Sequence, residues 1–146
     1  MSKARQFLSL TRAERRRLVR AFLTVAGVRI GLSLMPWLRL QALLARFRAE
    51  PSATSAAVPT VEELAQDVRL VSGYVPNATC LTQALAGQVL LTHYGYRAVV
   101  RVGVTKVDGK GTFQAHAWLE SGGKVVIGES EVAYVPLTTG GNDVAI

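Results

Sequence analysis

The sequence predicts an α+β fold in which helices occupy the first two thirds of the chain and an antiparallel sheet follows. Apolar residues recur at helical spacing in several segments before residue 95, whereas the run YRAVVRVGVTKV at 96–107 is rich in β-branched residues. The turn dipeptide Asp108-Gly109 then leads into the alternating run TFQAHAWLE. Helices followed by hairpin-connected strands are typical of α+β proteins.

The composition indicates one folded domain with a basic appendage. The chain has 146 residues, of which 49% are hydrophobic and 18% charged, unlike the composition of disordered chains. Residues 1–48 hold 11 of the 17 basic residues and one acid, a balance of +10, whereas residues 49–146 have a balance of −3. Because the basicity belongs to the N-terminal third, it gives little reason to expect that the globular part binds nucleic acid.

The expected compartment is the cytoplasm. A single cysteine excludes an intramolecular disulfide, and arginines interrupt the positions that the apolar region of a secretory signal would need. No apolar run reaches the ~20 residues of a membrane-spanning helix.

Residues 1–48 predict a basic amphipathic helical region. Thr11 and Glu14 have the spacing of a capping box, and Pro36 suits the first position of a second helix that continues to about Arg48. In the first helix an apolar stripe lies opposite a basic row; the stripe is Leu18, Phe22, Val25 and Ala26, and the row is Arg12, Arg16 and Arg20. Residues 49–59 contain two prolines and no periodic spacing of apolar residues, which is typical of a linker.

The main domain is predicted to span residues 60–146. Thr60 and Glu63 repeat the capping-box spacing before a helix that Gly73 ends, and a second, more apolar helix runs from about Thr79 to Gly95. Beyond the predicted hairpin, a turn at SGGK leads to a further strand, KVVIG.

Cys80 and His116 are the candidate nucleophile and base. Cys80 falls at a helix N-terminus, where free N–H groups favour a thiolate, although a lone cysteine in an apolar helix is more often a buried small residue. A histidine on a later strand can accept the thiol proton and return it to a leaving amine. His93 lies ~20 Å along the helix from Cys80, so we expect it instead to interact with the helix dipole.

Two glutamates are candidates for orienting the imidazole. Glu129 lies on the next strand, where opposed side chains are ~5 Å apart, and is the preferred choice. Glu120 shares the His116 face but lies ~13 Å along the same strand, so a solvated surface charge is expected there. We expect His116 to face Cys80 across the helix–sheet junction, with Trp118 beside it as a shield, a substrate contact or a packing residue. The alternate face, Phe113, Ala115, Ala117 and Leu119, is expected to pack elsewhere in the core.

The segments CLTQALAGQVLL, HYGYRAVVRVGV, FQAHAWLE and KVVIGES together resemble the leader peptidase of lasso-peptide biosynthesis, a transglutaminase-like, papain-related cysteine protease. The resemblance covers about residues 60–137, and the basic, Leu-rich N-terminal helices also look like those of the family. It implies a papain-like, transglutaminase-like core that carries the nucleophile at a helix N-terminus packed on an antiparallel sheet.

The resemblance implies cleavage of a precursor peptide between leader and core, which frees the core amine for a separate lasso cyclase. Cys80 corresponds to the nucleophile and His116 to the base, and no metal or cofactor is implied. The third residue of the family is generally an aspartate, and Gly128-Glu129 occupies the matching place here. The Cys80 N–H is the expected oxyanion donor, with Asn77 or Tyr74 as side-chain helpers. A separate recognition protein is expected to deliver the leader.

Two other functions fit the same residues. A thioester at Cys80 resolved by an amine would make the protein an acyltransferase. Alternatively, the protein is a non-enzymatic adaptor whose basic helices bind a partner protein or an anionic membrane. We expect residues 11–48 to pack partly on the main domain and to present Arg12, Arg15, Arg16 and Arg20 either to the recognition protein with its leader or to the inner membrane surface.

Overall fold

A computed structural model describes residues 8–46, 58–107, 111–130, 135–136 and 144–145. Four helices precede the sheet in this part of the chain: α1 (Arg12–Leu34), α2 (Trp37–Arg46), α3 (Val61–Ser72) and α4 (Cys80–His93). The strands are β1 (Val99–Val107), β2 (Thr112–Ser121), β3 (Lys124–Ile127), β4 (Val135–Pro136) and β5 (Val144–Ala145). The predicted α+β fold is confirmed. Most of the predicted linker and the Asp108-Gly109 turn lie outside the described residues.

Local sequence signals place the helix ends. Thr11 with Glu14 and Thr60 with Glu63 both form complete capping boxes, as predicted. In each box the glutamate side chain accepts from the cap N–H while the threonine hydroxyl accepts from the glutamate N–H, which satisfies two backbone donors at the helix start. Gly73 caps α3, as its position in the sequence indicates.

The first two helices form a bent pair around Pro36. Helix α2 begins at Trp37, one residue later than predicted. Pro36 precedes the first turn, and its carbonyl accepts hydrogen bonds from the Arg39 and Leu40 N–H groups. Leu40 packs against Gly31 of α1. A Cβ added to Gly31 would lie 2.7 Å from the Leu40 Cδ1 atom. Although α1 has 23 residues, no helix in the described part of the chain is long and apolar enough to cross a membrane.

The sheet is antiparallel, with the strand order β3-β2-β1-β4, and β5 also pairs with β1. Strands β1 and β2 form a hairpin in register from Val99↔Glu120 to Val107↔Thr112, which confirms the predicted hairpin. The turn from β2 to β3 contains Gly122 and Gly123, both with positive φ.

Helix α1 contributes to the same buried core as the rest of the chain. Its buried positions are Ala21, Val25, Val28 and Gly31. They belong to the same buried cluster as residues of α3, α4 and the sheet, and α1 contacts α3 and α4, so α1 is partly docked on the main domain, as expected. Of the predicted stripe, Val25 is buried and Leu18 and Ala26 pack against the core, whereas Phe22 is 40% exposed and the small residue Ala21 is buried. Small residues on this side let α1 approach its neighbours closely. The division of the chain into residues 1–48 and 60–146 stays a prediction.

The basic row of α1 is not uniformly free for a partner. Arg20 Nη1 lies 3.0 Å from His93 Nε2 and donates to the Tyr94 hydroxyl at 3.1 Å. A guanidinium only donates, so His93 accepts here as a neutral imidazole. Partial burial, and then the Arg20 charge, lower the pKa of His93. His93 lies in the last turn of α4, as expected, and its ring contacts Arg20 of α1 there.

Candidate active site

Cys80 is the first residue of α4, as the sequence predicts. Thr79 precedes it in an extended conformation, and its hydroxyl accepts from the Thr82 N–H. The cysteine is partly buried and packs against the core. The N–H groups of the first helical turn and the positive end of the helix dipole are therefore next to the sulfur, which suits a developing anion.

Helix α4 packs directly on the sheet at Gly87. A Cβ added there would lie 2.5 Å from Ile127 Cδ1 and 2.7 Å from Leu119 Cδ2. The missing side chain lets the helix approach β2 and β3 more closely than any larger residue would permit. This contact fixes the height of α4 above the sheet.

Two hydrogen bonds fix the direction of α4. The Tyr96 N–H donates to the Leu91 carbonyl at 2.9 Å, and Gln88 Nε2 donates to the Ala98 carbonyl at 3.1 Å. Leu91, near the end of α4, thus contacts Tyr96, whereas Gln88, one turn earlier in α4, contacts Ala98, which is two residues later in the chain than Tyr96. Helix α4 therefore runs antiparallel to β1 and parallel to β2.

The rise per residue places the backbones of Cys80 and His116 at similar distances from the contact between Gly87 and Leu119. From Gly87 back to Cys80 is about 10 Å along the helix, at 1.5 Å per residue. From Leu119, which Gly87 contacts, back to His116 is also about 10 Å along β2. The first residue of α4 and the backbone of residue 116 are therefore expected at a similar position along β2.

His116 is held by a main-chain acceptor and an aromatic ring. Its Nε2 lies 2.8 Å from the Gly128 carbonyl oxygen, and its ring stacks on Trp118 with centroids 6.3 Å apart and planes at 21°. A carbonyl oxygen only accepts, so Nε2 carries the proton and Nδ1 is the nitrogen that can act as a base.

The structure contradicts the expectation that the His116 face of β2 lies toward α4 while the Ala117/Leu119 face packs elsewhere in the core. Ala117 and Leu119 are buried beneath α4, whereas His116 and Trp118 belong to the alternate side-chain set. The apolar helix covers the more apolar face because that burial removes the larger apolar area from water. Phe113 is 61% exposed, since the end of the hairpin extends beyond the level at which α4 begins.

His116 lies near an edge of the sheet. In the described part of the chain, β3 pairs with β2 only between Leu119 and Ser121. Position 116 is therefore past the paired end of β3.

The two glutamates occupy different environments. Glu129 is exposed and lines a cavity of about 360 Å³ together with His116, Trp118 and Glu120. Glu120 accepts from Arg101 Nε at 2.8 Å and from Trp118 Nε1 at 2.9 Å. Partial burial raises the pKa of Glu120, but the Arg101 and Trp118 hydrogen bonds outweigh it, and the pKa is lowered overall. The expectation that Glu120 is a solvated surface charge is wrong.

The remaining candidate residues are dispersed. Trp118 lines the His116 cavity. Asn77 is exposed in the loop before α4, with a left-handed φ of 57°. Tyr74 lines a separate groove of about 660 Å³ between α1 and α3. The roles of Asn77 and Tyr74 as oxyanion helpers stay predictions. Within the described residues, no group of three His, Cys, Asp or Glu side chains could hold a metal ion.

The sequence places Gly128-Glu129 at the position of the third residue but does not predict that the Gly128 main-chain carbonyl contacts His116. The contribution of Gly128 is a carbonyl, which every residue has, so the side-chain pattern carried no direct signal. The available clue was its position, because a glycine directly after a strand often marks a positive φ. Its φ is 85°.

A cysteine at a helix N-terminus beside a histidine-bearing antiparallel strand defines a class of thiol-dependent peptidases and acyltransferases. A family model described as the transglutaminase-like superfamily matches residues 22–139. The chain belongs to the transglutaminase-like superfamily, which indicates cysteine-peptidase or acyltransferase-type activity. The match begins within α1. No curated protein and no solved structure matched the chain.

Proposed function

We propose that the protein is a cysteine peptidase that removes the leader from a ribosomally made lasso-peptide precursor. The observation that carries the proposal is Cys80 at the first position of α4, which packs on β2, the strand that bears His116. The His116 Nε2 lies 2.8 Å from the Gly128 carbonyl oxygen. The resemblance of residues 60–137 to lasso leader peptidases supplies the substrate class. Superfamily membership supports the chemistry.

In the proposed acylation step, His116 Nδ1 takes the proton of the Cys80 thiol. The thiolate attacks the carbonyl carbon of the last leader residue, and the peptide carbonyl becomes an oxyanion. The Cys80 N–H and the positive end of α4 stabilise that charge. The imidazolium then protonates the departing core amine as the C–N bond breaks, which leaves the leader as a thioester on Cys80.

The second step decides between the two chemical classes. In the peptidase, His116 takes a proton from water, the resulting hydroxide attacks the thioester, and the thiol leaves with the proton returned. In an acyltransferase, an amine replaces water and forms an amide. We propose hydrolysis, which releases a leader carboxylate and a core whose free amine is the substrate of a separate cyclase.

The experiment is product analysis by mass spectrometry. Precursor and recognition protein are incubated with the enzyme, with and without an added primary amine. We expect a leader ending in a carboxylic acid in both reactions, together with a core bearing a free amine. A leader amide as the main product would identify an acyltransferase, and intact precursor would contradict both assignments.

We also propose that the exposed face of α1 docks the recognition protein with its bound leader. Arg12 and Arg16 are exposed on this face, and Val19, Leu23 and Ile30 continue it at helical spacing. A cation in the first turn is unfavourable to the helix itself, so Arg12 is better explained by an acidic partner. Arg20 is excluded from the docking face because it binds His93 and Tyr94.

The docking proposal is tested by reversing two charges. We expect Arg12→Glu with Arg16→Glu to raise KM for the recognition-protein complex by roughly tenfold, because like charges are brought together at the interface. The difference from wild type should shrink as salt rises, since exposed charges are screened over ~8 Å at physiological ionic strength. Steady-state cleavage across a salt series measures both effects.

The matched control is Lys106→Glu with Lys124→Glu, which makes the same change in net charge at exposed sites on the sheet. An equal loss in this control would show a general charge effect and contradict docking on α1. Unchanged cleavage combined with lost binding to anionic vesicles in the Arg12/Arg16 variant would assign the face to a membrane.

A further inference from the structure

We propose that the main-chain carbonyl of Gly128, in place of a carboxylate side chain, orients the imidazole of His116. The inference rests on the proposed function, in which His116 is the catalytic base, and it identifies what holds that base. The 2.8 Å contact between His116 Nε2 and the Gly128 oxygen is the observation from which it starts. Gly128 is a positioning residue and does not itself touch the substrate.

The Gly128 carbonyl is held rigidly because its backbone lies directly against β2. A Cβ at this position would be 2.8 Å from the Ala117 carbonyl oxygen and 3.0 Å from the Trp118 Cα. These are backbone atoms, which cannot rotate away as a flexible side chain would. The φ of 85° is also in the left-handed region that favours glycine. Space and conformation together require glycine here.

A chain of contacts fixes the other side of the ring. The indole of Trp118 stacks on His116, and its Nε1 donates to Glu120 at 2.9 Å. Glu120 in turn accepts from Arg101 Nε at 2.8 Å, across the β1–β2 register that pairs Arg101 with Trp118. The imidazole therefore lies between a fixed acceptor and a fixed aromatic plane.

A neutral carbonyl has a definite chemical consequence. It selects the tautomer with a proton on Nε2, so Nδ1 is the basic nitrogen, as an orienting carboxylate would also do. Unlike a carboxylate, it places no full negative charge beside the imidazolium that forms during catalysis. Exposed Glu129 is then expected to contribute little, contrary to the role that the sequence suggests for it.

The first test is spectroscopic and does not depend on activity. In Cys80→Ala protein labelled with ¹⁵N, the ring-nitrogen shifts of His116 should report the Nε2–H tautomer of the neutral ring. The same tautomer should persist when Glu129→Gln is added. A change of tautomer on adding Glu129→Gln would show that the carboxylate orients the ring and would overturn the proposal.

The second test is kinetic and uses a matched glycine. We expect Gly128→Ala to lower kcat roughly 100-fold with KM little changed, because a displaced acceptor misplaces the base. Gly122→Ala is the control, since Gly122 also has positive φ but nothing within 4 Å of an added Cβ. The Gly122→Ala variant should have backbone strain like that of Gly128→Ala, but its kcat should stay within about twofold of the wild-type value. Equal losses of kcat in the two glycine variants would overturn the proposal.

Two further results separate the possible failures. Glu129→Gln should keep kcat within about twofold, and a loss as large as that of Gly128→Ala would return the orienting role to Glu129. If Gly128→Ala does not fold, the tautomer in the Cys80→Ala background decides the question. Failure of the proposed function would appear as intact precursor with wild-type enzyme, which leaves the spectroscopic result valid.

Discussion

Replacing Cys80 with alanine or serine is expected to abolish precursor cleavage while leaving the fold intact. The chain contains one cysteine, so no other thiol can form the thioester. A serine hydroxyl at this position would lack the acidity and nucleophilicity that make a thiol reactive at neutral pH. Both replacements are small and the site is only partly buried, so little packing is lost. The measurements are precursor consumption by mass spectrometry and thermal unfolding of each variant.

The two histidines of the chain provide the control. His116→Gln should lose cleavage almost as completely as Cys80→Ala, because nucleophile and base act as one unit. His93→Gln should retain most of kcat, since its ring contacts Arg20 and Tyr94 at the far end of α4. Cleavage that survives in Cys80→Ala would contradict the peptidase assignment. Full biological activity of the Cys80→Ala variant in cells would favour a non-enzymatic adaptor.

Arg17→Ala is expected to destabilise the protein by about 3 kcal/mol. Asp67 is 6% exposed, and Arg17 Nε lies 2.5 Å from its Oδ2. A second contact joins Arg17 Nη1 to Glu63 Oε1 at 3.4 Å. Removing one partner of such a pair leaves a buried carboxylate without compensation, which costs about 3–5 kcal/mol in other proteins. We expect the lower end of that range because Arg17 is partly exposed.

The effect of Arg17→Ala should depend on pH in a definite direction. Burial raises the pKa of Asp67, and the Arg17 hydrogen bond and charge act against that rise. Without Arg17 the folded-state pKa should rise further above the unfolded value. A raised carboxyl pKa disfavours the folded state as pH increases through it, so the loss should be largest near pH 7 and smaller near pH 4.

Denaturant unfolding at several pH values measures this prediction. Arg16→Ala is the matched control, because Arg16 is exposed on the same helix, and it should change stability by less than ~0.5 kcal/mol. Adding Asp67→Asn to Arg17→Ala should recover part of the loss by removing the buried charge. If Arg17→Ala behaves like Arg16→Ala, the pair does not tie α1 to α3.

Local signals in the sequence determined the elements of this fold. The capping boxes at Thr11 and Thr60, the start of α4 at Cys80 and the β1–β2 hairpin were all predicted correctly. Each depends on residues within a few positions of one another, where backbone hydrogen bonding and φ preferences act. For the same reason the sequence by itself identified Cys80 and His116 as candidates.

Only the tertiary structure decided how those elements meet. It placed α4 on the Ala117/Leu119 face, joined Arg17 to Asp67 across 50 positions, and set the Gly128 carbonyl on His116. None of these contacts has a local signature. Ion pairs between distant helices depend on where those helices pack, and a carbonyl acceptor is common to all residues. The face that a helix covers is decided by the apolar area that the whole core can bury, which no single segment contains.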